Sequence, residues 1–113
     1  MIKIDFSKID GRGVFATQDI EIGVELTCEV MIFENDIECL KKWSYPWSKT
    51  HFSFCVGFGS FFNHSDNPNI KIKSIDKINL TKTFIITKQV SKGDELLLYY
   101  NKTFKNNKSR LQG

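Results

Sequence analysis

Alternation of apolar and polar residues, or clustering of β-branched ones, marks five short stretches of the chain and predicts β-strands there. The first stretch shows the pattern plainly, because Ile2, Ile4 and Phe6 fall on one face. The predicted strands cover residues 1–6, 25–33, 70–75, 82–89 and 95–100. Polar, glycine-containing turns separate them, and short strands joined in this way indicate a mainly β domain.

A helical spacing occurs only in the segment 35–47. Ile37, Leu40 and Trp43 fall on one helical face, and Asp36 is a suitable N-cap ahead of them. A proline then interrupts the pattern. We therefore predict at most one or two short helices in an otherwise β-rich chain.

Length and composition fit one compact domain, because 113 residues with 41% apolar content supply a single core. No apolar run approaches the roughly 18 residues of a membrane span, and the N-terminus lacks a signal-peptide pattern. We expect an intracellular protein without membrane contact, cytoplasmic or nuclear. Cys28, Cys39 and Cys55 form no CxxC pair, so we expect reduced thiols and no metal site.

Charge is unevenly distributed. The chain carries a net +3, but its last residues, 101–113, contain four basic side chains and no acidic one, which leaves a net −1 for the rest. A nucleic-acid-binding domain needs a basic face on its folded body, so we expect no direct nucleic-acid specificity. A basic tail without a partner is the simplest interpretation of 101–113.

Three segments could carry chemistry. Gly11 to Ala16 places two glycines beside a strand, where backbone can approach a ligand, although a plain β-turn would look the same. Asn63-His64-Ser65 opens a loop dense in polar side chains, which an Asx-type turn would also explain. Tyr99 and Tyr100 end the last strand and should point to opposite faces. A cysteine–histidine nucleophile has no supporting local signature.

Taken in this order, the three segments resemble SET-domain protein lysine methyltransferases. The shared features are Gly-x-Gly near the N-terminus, Phe-x-Asn-His-Ser in the middle and Gly-Asp-Glu-Leu ending in Tyr, and the matching stretches are 11–16, 59–69 and 93–101. The resemblance implies a SET-domain, β-clip-like fold whose C-terminal segment threads under a loop against the Asn-His-Ser segment. It also implies methyl transfer from S-adenosylmethionine to a protein lysine.

The resemblance assigns the cofactor contacts by position. Arg12, Gly13 and Val14 would contact the methionine part of S-adenosylmethionine through their backbone. Asn63 and His64 would hold its methionine and adenine parts. In the tail, Phe104 is our candidate to cover the adenine.

The same resemblance makes Tyr100 the catalytic tyrosine, with Leu98 and Tyr99 contacting the substrate lysine. Methyl transfer needs an aligned, neutral amine. A free lysine, with a pKa of about 10.4, is mostly charged at neutral pH. An aromatic channel beside the cationic sulfonium disfavours the ammonium, so the phenol need not act as a base.

The chain departs from many relatives in three ways. Asp66 stands where they carry a zinc-binding cysteine and the tail has no cysteine, so we predict no zinc. Residues 34–56 form a variable insert, and flanking domains are missing, as in the small stand-alone viral and bacterial members. Such members can pair, so Trp43 and Trp47 of the insert could supply a homodimer face or simply fill the core.

The sequence defines the protein substrate less closely than it defines the reaction. The acidic residues Glu29, Glu34, Asp36 and Glu38 could attract a lysine-rich protein such as a histone, or form a solvated face. If the chain is viral, the host nucleus is the expected location. The competing hypothesis is a catalytically inactive SET-like module that binds protein.

Overall fold

The computed structural model describes residues 1–34 and 43–100. In this part of the chain the structure is built almost entirely from strands, with one turn of 3₁₀ helix at Gly57–Ser60. The prediction of a mainly β fold is confirmed. The strands are β1 (Ile2–Phe6), β2 (Arg12–Ala16), β3 (Glu25–Glu34), β4 (Ser44–Pro46), β5 (His51–Cys55), β6 (Asn63–His64), β7 (Ile70–Asp76), β8 (Thr81–Ile86) and β9 (Glu95–Leu98).

The strands form two sheets. The four-stranded sheet has the order β1-β2-β9-β6, and the five-stranded sheet has the order β4-β5-β3-β8-β7. All pairings are antiparallel except that of β6 with β9, which run parallel. A parallel pair cannot be joined by a hairpin. The chain therefore travels through β7 and β8 before β9 returns to lie beside β6.

The long strand β3 connects two parts of its sheet. Its first half, from Glu25, pairs with β8, and its second half, from Val30, pairs with β5. Burial alternates along β8, so that Lys82, Phe84 and Ile86 are buried while the residues between them are partly exposed. This regular alternation fixes which side chains face the interior.

The core joins both sheets through aromatic contacts. The ring centroids of Phe62 and Phe84 are 4.7 Å apart, and Phe62 also meets Phe58 edge-on at 5.9 Å. Phe62 and Phe84 are fully buried, and truncating either to alanine would cost about 3–5 kcal/mol. Because Phe62 directly precedes β6, this packing anchors the start of the Asn-His segment.

The main departures from the sequence expectations concern the insert. The helix predicted within 35–47, carrying Ile37, Leu40 and Trp43 and ending before Pro46, is wrong at its C-terminal end, because Ser44–Pro46 form strand β4, paired antiparallel with β5. Pro46 tolerates this position because β4 lies at the edge of its sheet. The start of the predicted helix lies outside the described residues.

Strands β2, β4, β5 and β6 were not predicted from the pattern. The other five strands were placed to within a few residues of their observed ends. Two of the three cysteines, Cys28 and Cys55, are buried and free, as expected, and Cys39 lies outside the described residues.

Candidate active site

The parallel pair β6–β9 brings the polar Asn63 loop against the last strand. Asn63 is in register with Leu97 and His64 with Leu98. Asn69 reinforces the pairing, since its side chain accepts from the Leu97 N–H at 2.7 Å and donates to the Glu95 carbonyl at 3.0 Å. The segment after β9 is thereby held beside Asn63 and His64.

Asn63 is the central polar group of this junction. Its Nδ2 lies within hydrogen-bonding distance of the Asp10 carbonyl (3.1 Å), the Arg12 carbonyl (3.2 Å) and Glu95 Oε2 (2.8 Å). The side chain is 5% exposed. Its Oδ1 accepts no hydrogen bond from any residue that the structure describes, and a buried acceptor of this kind normally has a partner.

A cavity of about 300 Å³, which we name the glycine cavity, opens beside Asn63. Beside Asn63, a Cβ added at Gly13 would clash with Glu95 Oε2 and lie 3.2 Å from Asn63 Nδ2. Any larger residue at this position would therefore require the Glu95 side chain to move. The cavity is lined by Asp10, Gly11, Arg12, Trp43, Ser60, Phe61 and Asn63.

His64 links the loop to the terminal tyrosines. The Tyr100 backbone N–H donates to His64 Nδ1 at 3.0 Å, and His64 Nε2 lies 2.9 Å from Asp66 Oδ1. Because Nδ1 accepts, the ring proton resides on Nε2, which donates to Asp66. The His64 ring contacts both Tyr99 and Tyr100, with centroid separations of 5.2 Å.

Tyr99 and Tyr100 point to opposite sides, as predicted: Tyr99 is 60% exposed and Tyr100 is 6% exposed. The Tyr100 hydroxyl donates to the Phe62 carbonyl. Burial raises the pKa of the Tyr100 phenol, and the carboxylates of Asp10 and Glu95 raise it further. The phenol is therefore neutral at physiological pH and serves as a hydrogen-bonding group, not as a base.

A second cavity, of about 120 Å³, is lined by all three tyrosines of the chain, and we name it the tyrosine cavity. Tyr45 of β4 donates its hydroxyl to the Gly59 carbonyl at 2.6 Å. Burial raises the pKa of Tyr45 well above its ordinary value. The lining residues are Tyr45, Pro46, Ile72, Ile75, Lys82, Leu98, Tyr99 and Tyr100.

Sequence reasoning missed Tyr45 and Lys82. Tyr45 gives no local signal, because the segment around it carries the spacing of a helix. Lys82 does give one, since it shares the inward face of β8 with Phe84 and Ile86.

The predicted site residues fall around these two cavities. Arg12 and Asn63 line the glycine cavity and Gly13 packs against Asn63, whereas Leu98, Tyr99 and Tyr100 line the tyrosine cavity. Val14 is fully buried, so its side chain belongs to the core and only its backbone could meet a ligand. His64 lies between Asp66 and the Tyr100 backbone. Phe104 lies outside the described residues.

Other predictions can be placed as well. In residues 1–34 and 43–100, no group of three or more His, Cys, Asp or Glu side chains is arranged to hold a metal ion. Within the same residues, no helix is long and apolar enough to cross a membrane. Trp43 is 37% exposed at the glycine cavity, and Trp47 packs partly buried against the core.

Comparisons with known proteins agree with this geometry. A family model described as the SET domain matches residues 11–101. A Schizosaccharomyces pombe protein named "Histone-lysine N-methyltransferase, H3 lysine-37 specific" is 28% identical over 98 positions, which cover 80% of this chain and 66% of that protein. A crystal structure of a candidate histone methyltransferase from Plasmodium falciparum superposes with a TM-score of 0.75 at 25% identity, covering 89% of this chain and 93% of its own.

Proposed function

The chain belongs to the SET domain family of protein lysine methyltransferases, and we propose that it transfers a methyl group from S-adenosylmethionine to the side-chain amine of a lysine in another protein. The curated relative is longer, since the chain covers 66% of its length. The proposed activity therefore rests on the residues of this chain and on the two cavities that they form.

One observation carries the proposal: a hydrogen bond connects the linings of the two cavities. Phe61 and Asn63 line the glycine cavity, and the carbonyl of Phe62 between them accepts from the hydroxyl of Tyr100, a residue that lines the tyrosine cavity. A donor held in one cavity and an acceptor held in the other would meet near this hydrogen bond. Group transfer between two bound molecules requires such a meeting point.

The glycine cavity suits the cofactor. Its volume of about 300 Å³ lies at the lower end of the range for small-molecule sites. The orphaned Oδ1 of Asn63 can accept from the ammonium of the methionine part. The Asp10 and Glu95 carboxylates close to this junction favour the cationic groups of the ligand, and Gly11 in the lining lets backbone approach it.

When bound, the cofactor supplies an electrophilic methyl group on a sulfonium. The residues of this chain orient the acceptor and keep water out. Tyr45 and Tyr100 remain neutral because burial raises the pKa of both phenols. Their hydroxyls are fixed on the carbonyls of Gly59 and Phe62, so their oxygens can accept from the acceptor amine without removing a proton from it.

We propose a histone as the acceptor protein. The S. pombe relative is named for histone H3. In this chain, the exposed acidic residues Glu29 and Glu34 of β3 are available to a basic partner. We further propose action in the nucleus.

Radiolabelled S-adenosylmethionine and purified core histones test the activity directly. We expect label on histone lysines with the wild type and a loss on the order of 100-fold with Tyr100→Phe, because the acceptor is then misplaced. Thr27→Val, which removes an exposed hydroxyl on β3, is the matched control and should leave transfer intact.

Calorimetry with S-adenosylmethionine separates the two hypotheses for the chain. Binding without transfer to any histone or extract protein would favour the catalytically inactive module. Absence of binding by the folded wild type would refute the assignment of the glycine cavity.

We also propose that the chain forms a homodimer through the insert. Trp43 leaves 37% of its surface exposed, and an aromatic side chain at the surface suits an interface. Light scattering should give twice the mass of the 13.1 kDa chain. A monomer at micromolar concentration would contradict the proposal.

A further inference from the structure

A lysine lines the tyrosine cavity from inside the protein. Lys82 lies on β8, between β3 and β7 of the five-stranded sheet, and is 1% exposed. Its Nζ donates to Ser53 Oγ at 3.1 Å and lies 4.0 Å from the centroid of the Tyr45 ring. Tyr45 and Lys82 both line the cavity in which Tyr100 is found.

The amine is poorly compensated for a buried charge. In residues 1–34 and 43–100 it forms no ion pair with a carboxylate. An ammonium has three donors, and Ser53 Oγ is the single oxygen within hydrogen-bonding distance among these residues. A buried charge of this kind is costly, whereas an apolar side chain of similar length would fill the same space.

The titratable groups around Lys82 come from β3, β5 and β4, and from the segment after β9, where Tyr99 and Tyr100 line the same cavity. Cys28 on β3 is its direct partner in register, Cys55 lies on the next strand, β5, and Tyr45 lies on β4. From the other side, β7 places the apolar Ile75 opposite Lys82. Burial lowers the pKa of Lys82, while Cys55 and Cys28 raise it.

We propose that Lys82 is a specificity-determining residue of the acceptor site: its ammonium is a resident positive charge that makes the tyrosine cavity accept a lysine in its uncharged form. This inference rests on the proposed methyl transfer and adds to it the selection of the reactive protonation state. A like charge in a desolvated cavity disfavours a second ammonium. The cation also occupies one face of Tyr45 and so withholds that face from a charged acceptor.

The positive charge of Lys82 determines the direction in which the pH dependence of kcat shifts. Next to a fixed positive charge, the bound acceptor loses its proton at lower pH, so the rise of kcat with pH occurs at lower pH than it would without Lys82. Removing the charge moves that rise upward. At separations of several ångströms in a partly buried site, a shift of about one pH unit is the expected scale.

The test is the pH profile of kcat for histone H3 methylation at saturating S-adenosylmethionine. With Lys82→Met we expect the midpoint of the rise to move up by about one pH unit and cofactor affinity to stay unchanged. Lys82→Arg keeps the charge and should retain the wild-type midpoint. Lys71→Met removes a charge from an exposed position on β7 and should also retain it.

Two results would overturn the inference. One is a Lys82→Met profile that superimposes on that of the wild type, and the other is an equal shift with Lys71→Met. No labelling of histone H3 by the wild type would instead refute the proposed function.

A measurement on the wild type covers the case in which Lys82→Met fails to fold. In ¹³C-lysine-labelled protein, the Cε shift of Lys82, assigned with Lys82→Arg, reports the charge of its amine. We expect an ammonium at pH 7.5. A neutral amine at that pH would contradict the proposal without any use of activity.

Discussion

The two cavities are connected by the hydrogen bond from the Tyr100 hydroxyl to the Phe62 carbonyl but are lined by different groups. The lining of the glycine cavity includes Gly11, Asn63 and one group of each charge, from Asp10 and Arg12, whereas the tyrosine cavity is lined by phenols, aliphatic side chains and a lysine. In our proposal the first holds the cationic donor and the second opposes a further positive charge. This difference suits a reaction in which a cationic donor meets a neutral acceptor, and substitutions on either side should therefore have separable effects.

The largest effect on the glycine side is expected from Asn63→Ala. It removes the buried oxygen that we assign to the cofactor and a donor shared by three acceptors. We expect the Kd for S-adenosylmethionine to rise about 10- to 50-fold, as measured by calorimetry. Asn67→Ala, an exposed amide in the same loop, is the control. Equal affinity in both variants would show that Asn63 does not contact the cofactor.

The glycines on the two sides offer a paired comparison. Gly13→Ala places a methyl group against Glu95 and Asn63, whereas Gly59→Ala places one within 2.8 Å of Cys28 Sγ and 2.7 Å of Cys55 Cβ. Each should lose about 1–3 kcal/mol of unfolding free energy. Cofactor affinity should fall beyond that only for Gly13→Ala. A similar change in Kd for both variants would show that a substitution at either glycine is transmitted to the cofactor site.

A smaller effect is expected from the ionisation of Tyr100. Burial raises its pKa in the folded state above the value of about 10 expected when unfolded. Its contribution is therefore complete below pH 10 and is lost as pH rises, at about 1.4 kcal/mol per pH unit. The stability difference between wild type and Tyr100→Phe should shrink between pH 10 and 11 in urea titrations. A constant difference would mean that the phenol is solvated.

The smallest effect should come from Asp66→Asn. The Asp66 side chain is 87% exposed, and the Tyr100 N–H already fixes the tautomer of His64. An asparagine oxygen can still accept from Nε2, so stability should change by less than about 1 kcal/mol. Thermal unfolding measures the change in stability, and a methyl-transfer assay measures the activity. Loss of activity would show that the carboxylate charge itself is needed.

The extent to which the sequence predicted the fold differs between strands. Strand β7 carries its own alternation and β8 lies in a stretch rich in β-branched residues, so both were found from the sequence. Strand β6 has two residues and no pattern of its own, because it is defined by its partner β9. Likewise β4 contains a proline and depends on β5 for its pairing. Local patterns cannot reveal strands that exist through long-range pairing.

The candidate site shows the same difference between residues that have a local sequence signal and residues that do not. The ordered motifs indicated Gly13, Asn63 and Tyr100, whose positions depend on nearby turns and on the β6–β9 pair. Tyr45 comes from the insert, and nothing in its local sequence connects it to Tyr100. Only the folding of β4 onto β5 places it in the same cavity.

The parallel pair β6–β9 also has a consequence for the order of folding. The His64 ring and the Tyr100 N–H that it binds are 36 residues apart in sequence. Closing a loop of that length is slow compared with forming a hairpin. A chain emerging from the ribosome can therefore assemble β3, β5 and β8 while its catalytic junction is still open. The junction closes only after β9 has been synthesised, and because it has two residue pairs, it should open under strain more readily than the longer strand pairs.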